Sequence, residues 1–178
     1  TIQNTAGQFS TATVNVTVTN VNDLPTDINF AGTAVNENAA AGTVVSTLTT
    51  LDPDNTAVAT NDTFTYTLAN NFGGAFQIVG NQIQVLNGAL LDFESGVVSY
   101  ALNVTVDDGH GGTFAEAVTI AVNNVNEAPT DIIFNGNAAT TAVSVAEYPV
   151  SNLIATLTAT DPDAPPNGTA GVLFGLAP

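Results

Sequence analysis

The chain has 178 residues, with sixteen Asp or Glu, no Lys, no Arg and a formal charge of −16. Nucleic acid is excluded as a natural partner, because phosphate binding rests on Lys and Arg, and self-repulsion among the carboxylates opposes a compact state unless cations bind. A hydrophobic fraction of 44% argues for a packed core rather than disorder, and the Val, Thr, Ile and Phe that supply much of it suit strands.

In residues 1–19, Val14, Val16 and Val18 alternate with Asn15, Thr17 and Thr19. The period of two predicts one strand, read as the last of a domain whose earlier strands lie outside the chain. Asn20-Val21-Asn22-Asp23-Leu24-Pro25-Thr26-Asp27 follows as a linker.

Residues 28–123 then carry about seven strand signals at short intervals, the pattern of an all-β sandwich. These are Ile28 to Phe30, Thr43 to Thr50, Phe64 to Leu68, Phe76 to Val79, Ile83 to Leu86, Tyr100 to Val106 and Phe114 to Val122. Gly80-Asn81 is a plausible tight hairpin between two of them. Gly73-Gly74, Asn87-Gly88 and Asp108-Gly109 mark strand ends. No helical period is sustained; Asn38-Ala39-Ala40-Ala41 is stopped by Gly42 within a turn.

The linker then returns, 104 residues after its first copy, as Asn124-Val125-Asn126-Glu127-Ala128-Pro129-Thr130-Asp131. The pattern restarts behind it: Ile132 and Phe134 match Ile28 and Phe30, Val145-Ala146-Glu147 matches Val35-Asn36-Glu37, and Thr160-Asp161-Pro162-Asp163 matches Leu51-Asp52-Pro53-Asp54. The expected layout is a terminal strand over 1–24, one whole domain over 25–128 and the opening of another over 129–178. Thr1 is not an initiator and no signal segment precedes it, so the chain reads as a piece of a longer exported protein whose signals and anchors lie elsewhere. No run is long and apolar enough to span a membrane.

Most of the acids stand at strand ends: Glu37, Asp52 and Asp54, Asp92 and Glu94, and Asp107-Asp108. Alternate residues on extended chain point the same way, so each x-Pro-x or x-Phe-x pair can converge on one ion. Cysteine is absent, which leaves metal as the staple for an exported domain. Oxygen ligands without His or Cys select a hard cation, and calcium accepts six to eight of them in flexible geometry.

The order Val35-Asn36-Glu37-Asn38 with Gly42-Thr43, Asp52-Pro53-Asp54, Leu91-Asp92-Phe93-Glu94, Val104 to Gly109 and Asn124 to Pro129 resembles a cadherin repeat. The likeness covers nearly the whole chain and is to repeat arrays of large bacterial surface proteins and adhesins. It implies tandem immunoglobulin-like Greek-key β-sandwiches with three Ca2+ ions at each junction. At the second junction it implies Glu37, Asp92, Glu94 and Glu127 on the outermost ion. Glu37, Glu94, Asn124, the Val125 carbonyl, Glu127 and Asp163 would hold the next, and Asn126, the Ala128 carbonyl, Asp161 and Asp163 the innermost. At the first junction Asn22, the Leu24 carbonyl, Asp52, Asp54 and Asp108 would form the matching innermost site. Asn20 and Asp23 would serve ions whose other ligands lie upstream. Asn20 and Asn124 stand where the family has Asp, which weakens the middle ion. Leu24 and Ala128 replace a linker Asn used only through its backbone.

The expected function is therefore non-enzymatic: a calcium-stiffened repeat region of an extracellular, cell-surface protein. Its partners would be neighbouring repeats, and beyond them like chains or a cell-surface or glycan receptor. The alternatives are a filament subunit in which Val14 to Val18 completes another chain's sheet, or a glycan-binding sandwich. Paired carboxylates also serve glycosidases, but here they gather at domain ends away from any aromatic cleft. His110 reads as a turn residue without a second His or Cys. Four glycosylation triplets, at Asn15, Asn61, Asn103 and Asn167, are what chance gives in a chain this rich in Asn and Thr.

Overall fold

The computed structural model describes residues 2–55, 62–134, 137–138 and 157–163. The expected match at Val145-Ala146-Glu147, the residues Asn61 and Asn167-Gly168-Thr169 of two triplets, and the rest of the third segment lie outside them. Thirteen strands are described: β1 (Ile2–Gln3), β2 (Phe9–Ser10), β3 (Asp27–Phe30), β4 (Ala34–Asn36), β5 (Val44–Leu51), β6 (Thr65–Leu68), β7 (Phe76–Val79), β8 (Gln82–Val85), β9 (Ser99–Asp107), β10 (Thr113–Asn123), β11 (Asp131–Phe134), β12 (Asn137–Ala138) and β13 (Leu157–Thr160). A 3-10 turn at Gly88–Leu90 is the helical element among the described residues, and none there is long and apolar enough to cross a membrane as a helix.

Strands β3 to β10 form two four-stranded sheets, ordered β4-β10-β9-β6 and β3-β5-β8-β7. Alternation builds the core between them. Tyr100, Leu102, Val104 and Val106 of β9 and Val118, Ile120 and Val122 of β10 point inward, against Ile28, Val45, Leu48, Phe76, Ile83 and Val85 of the facing sheet. The Gly80-Asn81 turn joins β7 to β8 as expected, with Ile78 opposite Ile83. Two polar bridges cross the layers: Thr50 Oγ1 lies 2.7 Å from the Tyr66 hydroxyl, and Glu116 Oε2 accepts from the Ile28 N–H at 3.0 Å. Glu116 occupies an inward position of β10, so its carboxylate serves an amide of β3 in the other sheet.

The run that opens the sandwich is divided between the sheets. β3 pairs antiparallel with β5, Ile28 opposite Thr50. The chain then changes layers through Ala31-Gly32-Thr33 and lies parallel to β10 as β4, Val35 opposite Val122. A Cβ at Gly32 would collide with the Val45 carbonyl, so the crossing requires glycine. Strand β4 was not foreseen, because three residues with one buried apolar position are too few to show a period.

The strand expected over Val14 to Val18 does not form. These residues lie outside any strand, with Val14, Val16 and Val18 exposed to 80, 81 and 90%. Alternation supplies an apolar face, but a strand needs a partner for its amides and a surface to cover that face, and among the described residues it has neither. The short β1-β2 hairpin lies before it instead.

Beyond the second linker, β11 pairs with β13, Asp131 opposite Thr160, repeating the start of β3 on β5, Asp27 opposite Leu51. The side-chain hooks repeat too: Thr26 Oγ1 donates to the Leu51 carbonyl at 3.1 Å and Thr130 Oγ1 to the Thr160 carbonyl at 3.3 Å.

Losing the Glu116 acceptor leaves the Ile28 amide unsatisfied at the seam between the layers. Glu116→Ala is expected to lower unfolding free energy by about 1–3 kcal/mol, and Glu116→Gln, which keeps an acceptor, by clearly less. Urea unfolding checks this, and equal effects of the two changes would contradict it.

Candidate metal centre

Both linkers run past the end of a sandwich where its acidic turns gather. At the first, Asp108 is fully buried. Its Oδ1 accepts from the amides of His110 at 2.7 Å and Gly112 at 2.9 Å, and its Oδ2 from Asn22 Nδ2 at 2.9 Å. The turn that presents those amides passes through Gly109 and Gly111 at φ +79 and +99, and a Cβ at Gly112 would strike the Asp108 carboxylate. The Asn22 bond is the largest reason that the Asp108 carboxyl is held below its usual range. Asp54 takes Asn20 Nδ2 at 2.6 Å on Oδ1 and the Asp23 amide on Oδ2, and is held low for the same reasons in that order. Asp52 Oδ1 accepts the Asp54 amide at 2.8 Å, while its buried Oδ2 has no partner.

The second linker repeats this bonding. Asn124 Nδ2 donates to Asp163 Oδ1 at 3.1 Å, the Glu127 amide to Asp163 Oδ2 at 2.6 Å, and the Asp163 amide to Asp161 Oδ1 at 3.2 Å. Asn124, Glu127, Asp161 and Asp163 thus occupy the places of Asn20, Asp23, Asp52 and Asp54. Beside them, Glu37 is buried at the end of β4 and accepts the Phe93 amide at 2.8 Å and the Val125 amide at 2.7 Å. The Phe93 bond is the chief cause that keeps Glu37 low. Glu94 takes the other hydrogen of the Asn124 amide at 2.8 Å.

Ligand oxygens of Glu37, Glu94 and Glu127 come within 4.8 Å of one another. Glu94 and Glu127 are both pushed above the usual glutamate range, first by loss of hydration and then by acidic neighbours, Glu37 foremost among them. Asn38 Nδ2 holds Glu127 Oε1 at 2.8 Å, and Glu127 Oε2 is buried without a partner.

Of the residues expected here, Glu37, Glu94, Asn124, Val125, Glu127 and Asp163 are brought together by these bonds. Asp92 is not: its Oδ1 caps the following turn through the Ser95 amide at 3.1 Å. Asn126 Nδ2 turns to the Glu127 carbonyl at 3.0 Å. Leu24 and Ala128 lie in the strand-free linkers. Two participants were missed. Asn38 was legible as the residue after Glu37, and its φ of 53 marks the special turn that aims it. Asp62 carries a side chain only 4% exposed at the first end, and no motif announces it.

The donor set is oxygen throughout. The orphaned buried oxygens on Asp52 and Glu127 are what a hard cation would complete, in a chain with no Lys or Arg to do so.

No protein-family model and no curated protein sequence matches the chain. Solved structures do. Human CDH23 EC21-23 is 23% identical over 83% of this chain and 47% of its own, with a TM-score of 0.55. Protocadherin gamma B2 extracellular cadherin domains 1-5 are 22% identical over 83% of this chain and 28% of their own, with a TM-score of 0.53. Human protocadherin-24 EC1-2 is 17% identical over 78% and 62%, with a TM-score of 0.50.

The fold is cadherin-like. The chain spans between 22% and 35% of the length of the first protocadherin structures it matches.

Proton linkage at these carboxylates has two signs. Glu94 and Glu127 take a proton more readily folded than unfolded, so stability rises as pH falls through their raised range. Glu37, Asp54 and Asp108 are held low, so their contribution is lost as pH falls through their depressed range. In chelator, the melting temperature is expected to pass through a maximum at mildly acid pH. A steady decline from neutrality would contradict it.

Proposed function

We propose that the chain is a calcium-dependent, non-enzymatic repeat region of an extracellular, cell-surface protein, in which cations bound between sandwiches stiffen the array. In this reading residues 1–24 end one repeat, 25–128 form a whole one and 129–178 begin the next. The observation that carries the proposal is the convergence of Glu37, Glu94 and Glu127 within 4.8 Å, with no Lys or Arg anywhere in the sequence. Three such carboxylates repel unless protonated or bridged by a cation.

Bound there, calcium supplies positive charge and accepts six to eight oxygens. Glu37, Glu94 and Glu127 would hold one ion, with Asp92 free to rotate from its turn onto the same ion. Asn124, Val125, Asn126, Ala128, Asp161 and Asp163 would complete the inner positions, and Asn20, Asn22, Asp23, Leu24, Asp52, Asp54 and Asp108 the corresponding ones at the first linker. Glu37 and Glu94 belong to one sandwich and Asp161 and Asp163 to the next segment. Ligands drawn from both sides fix the angle between them. The work of such a region is mechanical: it holds neighbouring parts of an adhesive surface protein at a set distance.

A second reading rests on the exposed, alternating Val14, Val16 and Val18. Added to an edge such as β6 or β7 of another copy, they would assemble chains into a filament. A monomeric mass at every concentration would rule it out.

Calcium at a hundred times its dissociation constant is expected to add about 2.7 kcal/mol to stability, since only the folded chain gathers the ligands. Melting curves in calcium and in chelator check this, and coincident curves would show the acids to be merely solvated. Asp163→Ala removes one acceptor from both Asn124 and the Glu127 amide. In calcium it is expected to leave the 27–123 sandwich melting as before while broadening the small-angle scattering distance distribution.

A further inference from the structure

At the first end of the sandwich one carboxylate stands outside the repeated acidic motifs. The Asp62 side chain is 4% exposed, and its Oδ2 is buried without a hydrogen-bond partner among the described residues. The adjacent Thr63 amide donates to the Asp108 carbonyl at 3.2 Å, which fixes Asp62 beside the buried Asp108 turn. His110 Nε2 lies 3.9 Å from the other oxygen, Oδ1. The same end holds a second orphaned oxygen, Oδ2 of Asp52, on a residue 5% exposed. Asp52 is the charge that presses hardest on Asp62, followed among the acids by Asp108 and Asp54.

Elsewhere in this cluster the carboxylate oxygens are spoken for. Asp108 holds two amides and Asn22, and Asp54 holds Asn20 and the Asp23 amide. The unfilled acceptors are those of Asp52 and Asp62, two buried carboxyl groups at the same end of the sandwich. A lone buried carboxylate is costly unless it is neutralised, and the sequence offers no Lys or Arg to do it. His110 Nε2 stands 3.9 Å from Asp62 Oδ1, so for the orphaned Oδ2 atoms there is a proton or a hard cation.

We propose that Asp62 is a further ligand of a divalent-cation site at the first linker, facing Asp52 across the ion. The proposal rests on the reading of the linkers as cation sites and extends it to a residue that the repeated motifs do not contain. Asp62 replaces hydration with a third negative side chain beside Asp52 and Asp108. That makes this site the stronger binder where Asn20 has weakened its surroundings by lacking a charge.

The test is a calcium titration of the full chain followed by amide NMR. His110 and Gly112 report the first linker, because both bond Asp108. Val125 and Glu127 report the second, through Glu37 and Asp163. Asp62→Asn is nearly isosteric and mimics the protonated carboxyl. It is expected to raise the calcium midpoint at His110 and Gly112 at least about tenfold, with Val125 and Glu127 unmoved. It is also expected to melt higher than the wild type in chelator and lower in calcium, a crossing that a purely structural residue would not give. Unchanged midpoints at His110 and Gly112 in Asp62→Asn would overturn the role of Asp62 alone. If no wild-type amide responds at either linker, the cation reading itself fails and this inference with it.

Discussion

Unbalanced negative charge is the constraint on which the structure depends. Sixteen carboxylates share a chain without one Lys or Arg, and the sandwich brings many of them to its two ends rather than dispersing them. A core of strand-alternating Val, Ile, Leu, Phe and Tyr is built first, and the turns between those strands have nowhere else to go. The repulsion is then distributed by hydrogen bonding. Backbone amides and asparagine side chains take the role that basic residues play in other proteins, holding Asp108, Asp54 and Glu37 low in their titration. Glu94, Glu127 and Asp62, stripped of hydration and pressed by acidic neighbours, are pushed toward protonation.

The linkers show how a connecting segment acquires a shape. An extended stretch of eight residues would swing freely if only its ends were held. Here Asn22 is caught by Asp108, Asn20 and the Asp23 amide by Asp54, and their counterparts Asn124 and the Glu127 amide by Asp163. The bonds to Asp54 at the first linker recur as bonds to Asp163 at the second. Each linker is held by carboxylates from the following segment, and the second also by Glu37 and Glu94 of the preceding one. Direct hydrogen bonds and ion ligation draw on the same carboxylate oxygens, so a cation would compete with the contacts already present.

Much of the fold was legible because a strand buried on one face writes itself as alternation. Tyr100 to Val106 and Phe114 to Val122 were plain, and the Gly80-Asn81 hairpin needed only its turn residues. β4 escaped because it has a single core side chain, Val35, and owes its place to the parallel ladder with β10 and to the crossing at Gly32. Val14 to Val18 misled for the opposite reason: the period is present, but a period does not provide a partner. At the candidate metal centre, the hydrogen-bonded carboxylates and asparagines lie mostly within the repeated motifs. Asp92 stands apart because a local turn competes for its oxygen. Asp62 and Glu116 could not be read, since neither has a motif and each matters only through what a distant strand or turn brings beside it.

Cation binding at the shared carboxylates is the central claim, and diffraction from crystals grown in calcium tests it most directly. The account expects anomalous density among Glu37, Glu94 and Glu127, with carboxylate oxygens at the about 2.3–2.6 Å typical of calcium, and Asp163 reaching an ion of the same cluster from the next segment. Crystals in which those positions hold only water, with the Glu37 bonds to Phe93 and Val125 unchanged, would contradict it.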